Sequence, residues 1–409
     1  MANRRYLTSG VTIPELNGLR GVAILMVLWY HCTRSYRSGL EIDPAFRLSA
    51  GALVGDGTGH GFGTDFLYQL AGAGWQGVDL FFVLSGFLIT GILIDTKHKA
   101  SSLTAFYYRR ALRIFPVYFL TLAILYVVIP TFTDLGSRYP EAIDRQAFDW
   151  TYTTNFKLAV SDLPSNQQWN RLTVHFWSLA IEEQFYLLWP FLVTLLSTRA
   201  FKRMCYGLIA AHIIVRIYYA VHAPGLLVNH HDDVALYFVR YDALVAGALL
   251  AVWVRDPAVT ADHVVRRARV VLWASLAAFS TQVLIAGKVR TPLLYLVGYP
   301  VNAALGAALV ALAACSDPRT RLARVLRAPM LGGIGTISYA LYLVHPMLVF
   351  CFEPAYDAMA HSLPPIVALV LMSLLVLTVA LAIAVTSWTV LERPLLRLKR
   401  YVTVARDSR

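Results

Sequence analysis

Charge is scarce in this 409-residue chain: Asp, Glu, Lys and Arg together make up 15% of it, against 57% apolar residues. Mean hydropathy is +0.56, which excludes an ordinary water-soluble domain. Cysteine is rare too. Cys32, Cys205, Cys315 and Cys351 fall in or beside apolar runs and read as small hydrophobes, which excludes a disulfide framework. There is no internal repeat, and no paired Gly/Pro-broken segments of the kind that mark many transporters. The glycines between positions 55 and 63 follow no strand and precede no Gly-Lys-Ser/Thr, so they read as flexible loop rather than phosphate loop. The first apolar run starts after a long polar stretch, lacks a small-residue cleavage pattern and contains Arg20. It is expected to remain as a helix and not to be a cleaved signal.

What is present is apolar length. Ten stretches suit membrane helices: 16–32, 75–94, 111–129, 176–197, 204–221, 234–254, 270–287, 292–315, 334–352 and 363–391. The expected fold is all-α, a polytopic bundle of about ten transmembrane helices with both termini cytoplasmic. Residues 1–15 would precede the membrane domain at 16–391, and 392–409 would form a basic tail. With the N-terminus inside, two-thirds of the 36 Lys and Arg residues fall on inner segments, and the outer connections 221–234 and 353–364 carry none. The net charge of +12 therefore reports topology, and no nucleic-acid partner is expected. Two outer connections are long, 33–74 and 130–175, the second carrying Trp150, Tyr152 and Trp169. Loops of that length commonly cover or bind ligands.

Ionisable residues inside such a chain point to function. Arg20 and His31 are eleven positions apart in the first run. At about 100° per residue they return to one helix face, about 16 Å apart along the axis. Arg110 and Arg113, spaced i, i+3 at the cytoplasmic end of the third helix, suit bidentate capture of phosphates. Glu182, just inside the outer end of the fourth helix, reaches a depth comparable with His31, where a carboxylate can orient an imidazole. Asp79, Ser85, Arg216, Arg240, Asp242, Ser338, Tyr342 and His345 also lie within apolar segments and imply a polar interior cavity. Each has an ordinary reading as well. Ser85 is not in a Gly-x-Ser-x-Gly elbow and is expected to bond back to a helix carbonyl, and Arg240 with Asp242 to neutralise each other. The polar run at 229–233 reads as a solvated turn, and no metal is expected.

Together these motifs resemble the acyltransferase-3 family of integral membrane acyltransferases. The resemblance runs through Arg20 and His31, FFVLSGFLI around Ser85, Arg110-Ala-Leu-Arg113, WSLAIEEQFY at 177–186, RYDALVAG at 240–247 and SYALYLVHP at 338–346. It implies transfer of an acyl group, usually acetyl, from acyl-coenzyme A to a hydroxyl of a sugar-containing acceptor, in a bacterial inner membrane. The acceptor would be a cell-surface polysaccharide, an O-antigen or a glycosylated natural product. Family enzymes sometimes carry an added periplasmic domain, whose role would here fall to a separate partner.

On that reading His31 is the general base, oriented by Glu182 or Asp79, while Arg20, Arg110, Arg113 and Ser85 hold the donor. Arg20, Ser85 and His345 are each candidates for polarising the thioester carbonyl. Trp177, Tyr186, Arg240, Asp242, Tyr342 and His345 are candidates for contacting the acceptor. An acyl-His31 intermediate is the alternative route, and a glycan transporter or flippase the alternative function.

Overall fold

Segments with few charges must satisfy their backbone polar groups internally, which in lipid means helices. The computed structural model describes residues 13–35, 73–97, 99, 102–133, 140–160, 168–222, 240–286 and 292–401, and among these there is no strand. The principal helices are α1 (Pro14–Ser35), α2 (Gln76–Thr96), α3 (Ser102–Ala123), α4 (Phe176–Leu195), α5 (Thr198–His222), α6 (Tyr241–Val254), α7 (Ala261–Ala286), α8 (Pro292–Cys315), α9 (Pro329–Thr336), α10 (Ser338–Cys351) and α11 (Pro365–Ser387). A π-turn at Ile124–Val128 carries α3 on to Phe132, and another at Trp388–Glu392 carries α11 towards Tyr401. The glycines at 55–63 and the polar run at 229–233 lie outside the described residues, as does most of the 33–74 connection.

Each expected stretch coincides with a helix or with the described part of one. Among the described residues, five helices are long and apolar enough to cross a membrane: Gln76–Thr96, Ser102–Phe132, Thr198–His222, Leu296–Cys315 and Ile366–Tyr401. The stretch 334–352 is corrected from one straight span to two helices: α9 and α10 meet at a 74° bend. Large apolar side chains such as Leu120, Leu187, Ile217 and Leu374 are exposed on the outer faces of α3, α4, α5 and α11, where lipid would cover them.

Helix α1 lies at the centre, packed against α2, α8, α9, α10 and α11. Asn17 fixes its start by donating to Gly332 O at 2.7 Å and Thr336 Oγ1 at 2.9 Å. A close crossing joins α2 and α6. A Cβ on Gly86 would fall 1.9 Å from Leu244 O, and one on Gly247 would fall 2.1 Å from Val83 O. Only glycine permits backbones this close, the small-residue packing typical of membrane bundles.

The 130–175 connection is not without structure of its own. Its described part folds into short helices at Pro140–Asp144, Ala147–Trp150, Thr154–Val160 and Gln168–Thr173. They are held by a buried polar knot. Asp149 accepts from Tyr126 of the π-turn, from Thr154 Oγ1 at 2.7 Å and from Lys157 Nζ at 2.6 Å. Tyr152, at φ 53°, stacks on Tyr118 of α3 with ring centroids 4.1 Å apart.

Candidate active site

The helices leave a cavity of about 720 Å³, its open mouth included, walled by α1, α2, α3, α4 and α10. Arg20, Arg110 and Arg113 all line it. Because α3 is helical from Ser102, the i, i+3 spacing puts Arg110 and Arg113 on one face, opposite Arg20 of α1. Among the described residues none of the three forms an ion pair. Arg110 instead stacks over the Tyr186 ring at 4.8 Å. Three guanidinium groups outside any ion pair, against two carboxylates, leave the cavity attractive to an anion.

Next to Arg110 the cavity wall carries a hydrogen-bond chain. Ser85 Oγ donates to Glu182 Oε1 at 2.6 Å, and the Tyr186 hydroxyl donates to Ser85 Oγ at 3.0 Å. This corrects the expectation that Ser85 bonds back to its own helix. Glu183 lines the cavity beside Glu182, so two carboxylates moderate the arginine charge. Ser178, Ser338, Tyr339 and Tyr342 supply neutral polar groups. None but Tyr342 and Ser338 stood out in the sequence. The overlooked signal for Ser178 is its position one helical turn from Glu182, on the same face.

Beyond Tyr342 stands a cluster of histidines. The Tyr342 hydroxyl and Ser178 Oγ are 2.6 Å apart, and the Tyr342 hydroxyl donates to His175 O at 3.3 Å. Behind them His345 packs against His175, ring centroids 5.8 Å apart, and against His31 at 4.8 Å. His345 Nε2 and His31 Nδ1 are 3.2 Å apart. The ring that meets His31 is therefore an imidazole from α10. Glu182 is engaged by Ser85 and Asp79 by Arg240, so neither carboxylate holds the orienting position expected of it.

Two buried ion pairs tie α2, α5 and α6 together. Arg240 pairs with Asp79, and Arg216 pairs with Asp242 at 2.8 Å. Arg240 and Asp242 thus do not neutralise each other. Two positions apart at a helix start they point to different neighbours, and each finds a partner on another helix. Asn302 Nδ2 donates to Asp79 at 3.4 Å, and the Arg240 guanidinium lies over the rings of Tyr299 at 4.2 Å, Trp177 at 5.3 Å and Trp75 at 5.4 Å. Of the acceptor candidates, Tyr186 and Tyr342 reach the cavity, His345 stands behind it, and Trp177, Arg240 and Asp242 belong to this packed ionic layer. Asn302 and Tyr299 were missed, although an asparagine inside an apolar span is itself a signal.

The chain is 28% identical over 373 residues to the O-acetyltransferase OatA of Staphylococcus aureus, covering 86% of this chain and 52% of that protein. It is 26% identical over 368 residues to the peptidoglycan O-acetyltransferase OatA of Listeria monocytogenes, covering 84% of this chain and 50% of that protein. It thus spans about half the length of the curated relatives it matches. No solved structure matches it. Residues 13–385 match the acyltransferase-3 family, described as an acyltransferase domain, and with nearly all the described helices inside that match, the chain belongs to this family.

Proposed function

We propose that this protein is a membrane O-acetyltransferase that moves an acetyl group from acetyl-coenzyme A, taken from the cytoplasm, to a hydroxyl of a sugar-containing acceptor. The observation that carries this reading is the convergence of Arg20, Arg110 and Arg113 on one cavity without ion-pair partners among the described residues, directly before a layer that backs onto His31. Coenzyme A is an anion at one end and a thioester at the other. Its phosphates suit the arginines, and its amide-bearing arm suits the serine and tyrosine wall. The axial distance from Arg20 to His31, about 16 Å by helix rise, matches an extended arm.

His31 takes the proton of the acceptor hydroxyl as its oxygen attacks the thioester carbonyl. The tetrahedral adduct then collapses, the carbon–sulfur bond breaks, and the proton returns to the leaving thiolate. For the thioester to reach His31, the contact between Tyr342 and Ser178 must open. The name of the Listeria monocytogenes relative, a peptidoglycan O-acetyltransferase, supports a cell-wall glycan as acceptor. The ten-span topology with both termini cytoplasmic, in a bacterial inner membrane, is part of the same proposal. A transporter would need its buried charges to line a path, whereas Asp79, Arg240, Arg216 and Asp242 are closed into ion pairs and covered by aromatic rings.

The test is thiol release from acetyl-coenzyme A by the protein in nanodiscs, with a glycan acceptor, alongside mass spectrometry of the acceptor. Release that is lost in His31→Ala and accompanied by an added acetyl mass is expected. Glycan passage across vesicles without coenzyme A would overturn the reading.

A further inference from the structure

Around His31 the positions of hydrogen-bond acceptors determine which ring nitrogen carries a proton. Pro346 lies inside α10. Proline has no N–H, so the carbonyl of Tyr342, four residues back, lacks its helical donor. Nδ1 of His345 supplies one, standing 2.9 Å from Tyr342 O and 3.1 Å from Leu341 O. Carbonyl oxygens only accept, so Nδ1 of His345 bears the hydrogen. His345 is fully buried, which favours the neutral ring with a single N–H. Its Nε2 is therefore an acceptor, and it faces Nδ1 of His31 at 3.2 Å. That nitrogen is also 2.9 Å from Val27 O. Both of these neighbours of His31 Nδ1 accept, so Nδ1 carries the hydrogen and Nε2 is the basic nitrogen.

We propose that His345 is the positioning residue of the reaction, a neutral imidazole standing where many acyl-transfer sites place a carboxylate. Together with Val27 O it holds His31 in the Nδ1–H form, so that Nε2 receives the acceptor's proton. This rests on His31 being the base of the proposed acetyl transfer. As the hydroxyl oxygen bonds to the thioester carbon, its proton moves to Nε2, while Nδ1–H stays in place and donates to His345. That bond becomes charge-assisted as the imidazolium forms. When the carbon–sulfur bond breaks, the proton leaves Nε2 for the thiolate and both rings are neutral again. An uncharged orienter suits this depth, where a carboxylate facing a neutral His31 would be an uncompensated buried charge.

The experiment compares His345→Leu, which has no acceptor, with His345→Gln, whose side-chain oxygen reaches the position of Nε2. His345→Leu is expected to lower kcat by about 10- to 100-fold while the KM for acetyl-coenzyme A stays within about twofold, and His345→Gln to recover most of that loss. Nitrogen-15 spectra of histidine-labelled wild-type protein should show His31 protonated at Nδ1, and a smaller share of that form in His345→Leu, where Val27 O still accepts from Nδ1. A wild-type His31 protonated at Nε2 would overturn the proposal, even if the leucine variant does not fold. So would equal loss in the leucine and glutamine variants, or a loss confined to KM. If the wild type does not turn over acetyl-coenzyme A, the acetyl-transfer reading fails, and the tautomer measurement still decides whether His345 sets the form of His31.

Discussion

Oε1 of Glu182 accepts a 2.6 Å hydrogen bond from the hydroxyl of Ser85, and both residues line the cavity that holds three arginines. Glutamine at position 182 keeps an oxygen for Ser85 and removes one negative charge. Glu182→Gln is therefore expected to retain kcat within about threefold and to lower the KM for acetyl-coenzyme A by about two- to fivefold. A kcat loss on the order of 10⁴-fold, as follows disruption of an orienting carboxylate, would instead make Glu182 the partner of His31. Steady-state kinetics separate the two.

The three arginines are expected to act on donor affinity. Arg113→Ala should raise the KM for acetyl-coenzyme A by about 10- to 100-fold, the equivalent of one lost charged hydrogen bond, with a small effect on kcat. Arg113→Lys should recover only part of it, because an ammonium lacks the forked geometry. Kinetics at low and high salt check the assignment, since a cavity-held contact is screened less than a surface one.

Direct transfer predicts that no acetyl group stays on the enzyme. Rapid quenching after mixing with labelled acetyl-coenzyme A and no acceptor should recover all label on small molecules. Label retained on His31 would establish an acyl-histidine intermediate.

Arg240 and Asp79 test stability and binding together. Arg240→Met leaves Asp79 buried with Asn302 as its remaining partner and should destabilise the protein by about 3–5 kcal/mol, while Arg240→Met with Asp79→Leu should return close to wild type. Thermal unfolding in detergent measures both. If the double variant is stable yet raises the KM for the acceptor alone, the pair contacts the acceptor as well as holding α2 to α6.

Much of this was legible because it was local. The three-residue spacing aligned Arg110 with Arg113 on the cavity, and apolar length marked the helices. What stayed hidden depends on pairing across the chain. His31 meets His345 across 314 positions, and no periodicity reports which helix becomes a neighbour. Reading Arg240 against Asp242 failed for the same reason, since adjacency in sequence suggested a pair that separate helices supply. Ser85 looked like a side chain that would bond to its own backbone until Glu182 arrived from α4. The short helices of the 130–175 connection stayed hidden because its polar residues are visible in sequence and the knot that buries Asp149 is not.

The glycine crossing of α2 and α6 works as a shared origin for two rulers. Asp79 stands seven residues before Gly86 and Arg240 seven before Gly247, while beyond the crossing Arg255 Nε reaches Asp95 Oδ1 at 2.8 Å. The two helices run side by side in the same direction, and equal counts from one pinned point bring opposite charges to equal height. Inserting a single residue between Asp79 and Gly86 would swing Asp79 by about 100° around its axis, stranding Arg240 while leaving the clasp of Asp95 and Arg255 intact.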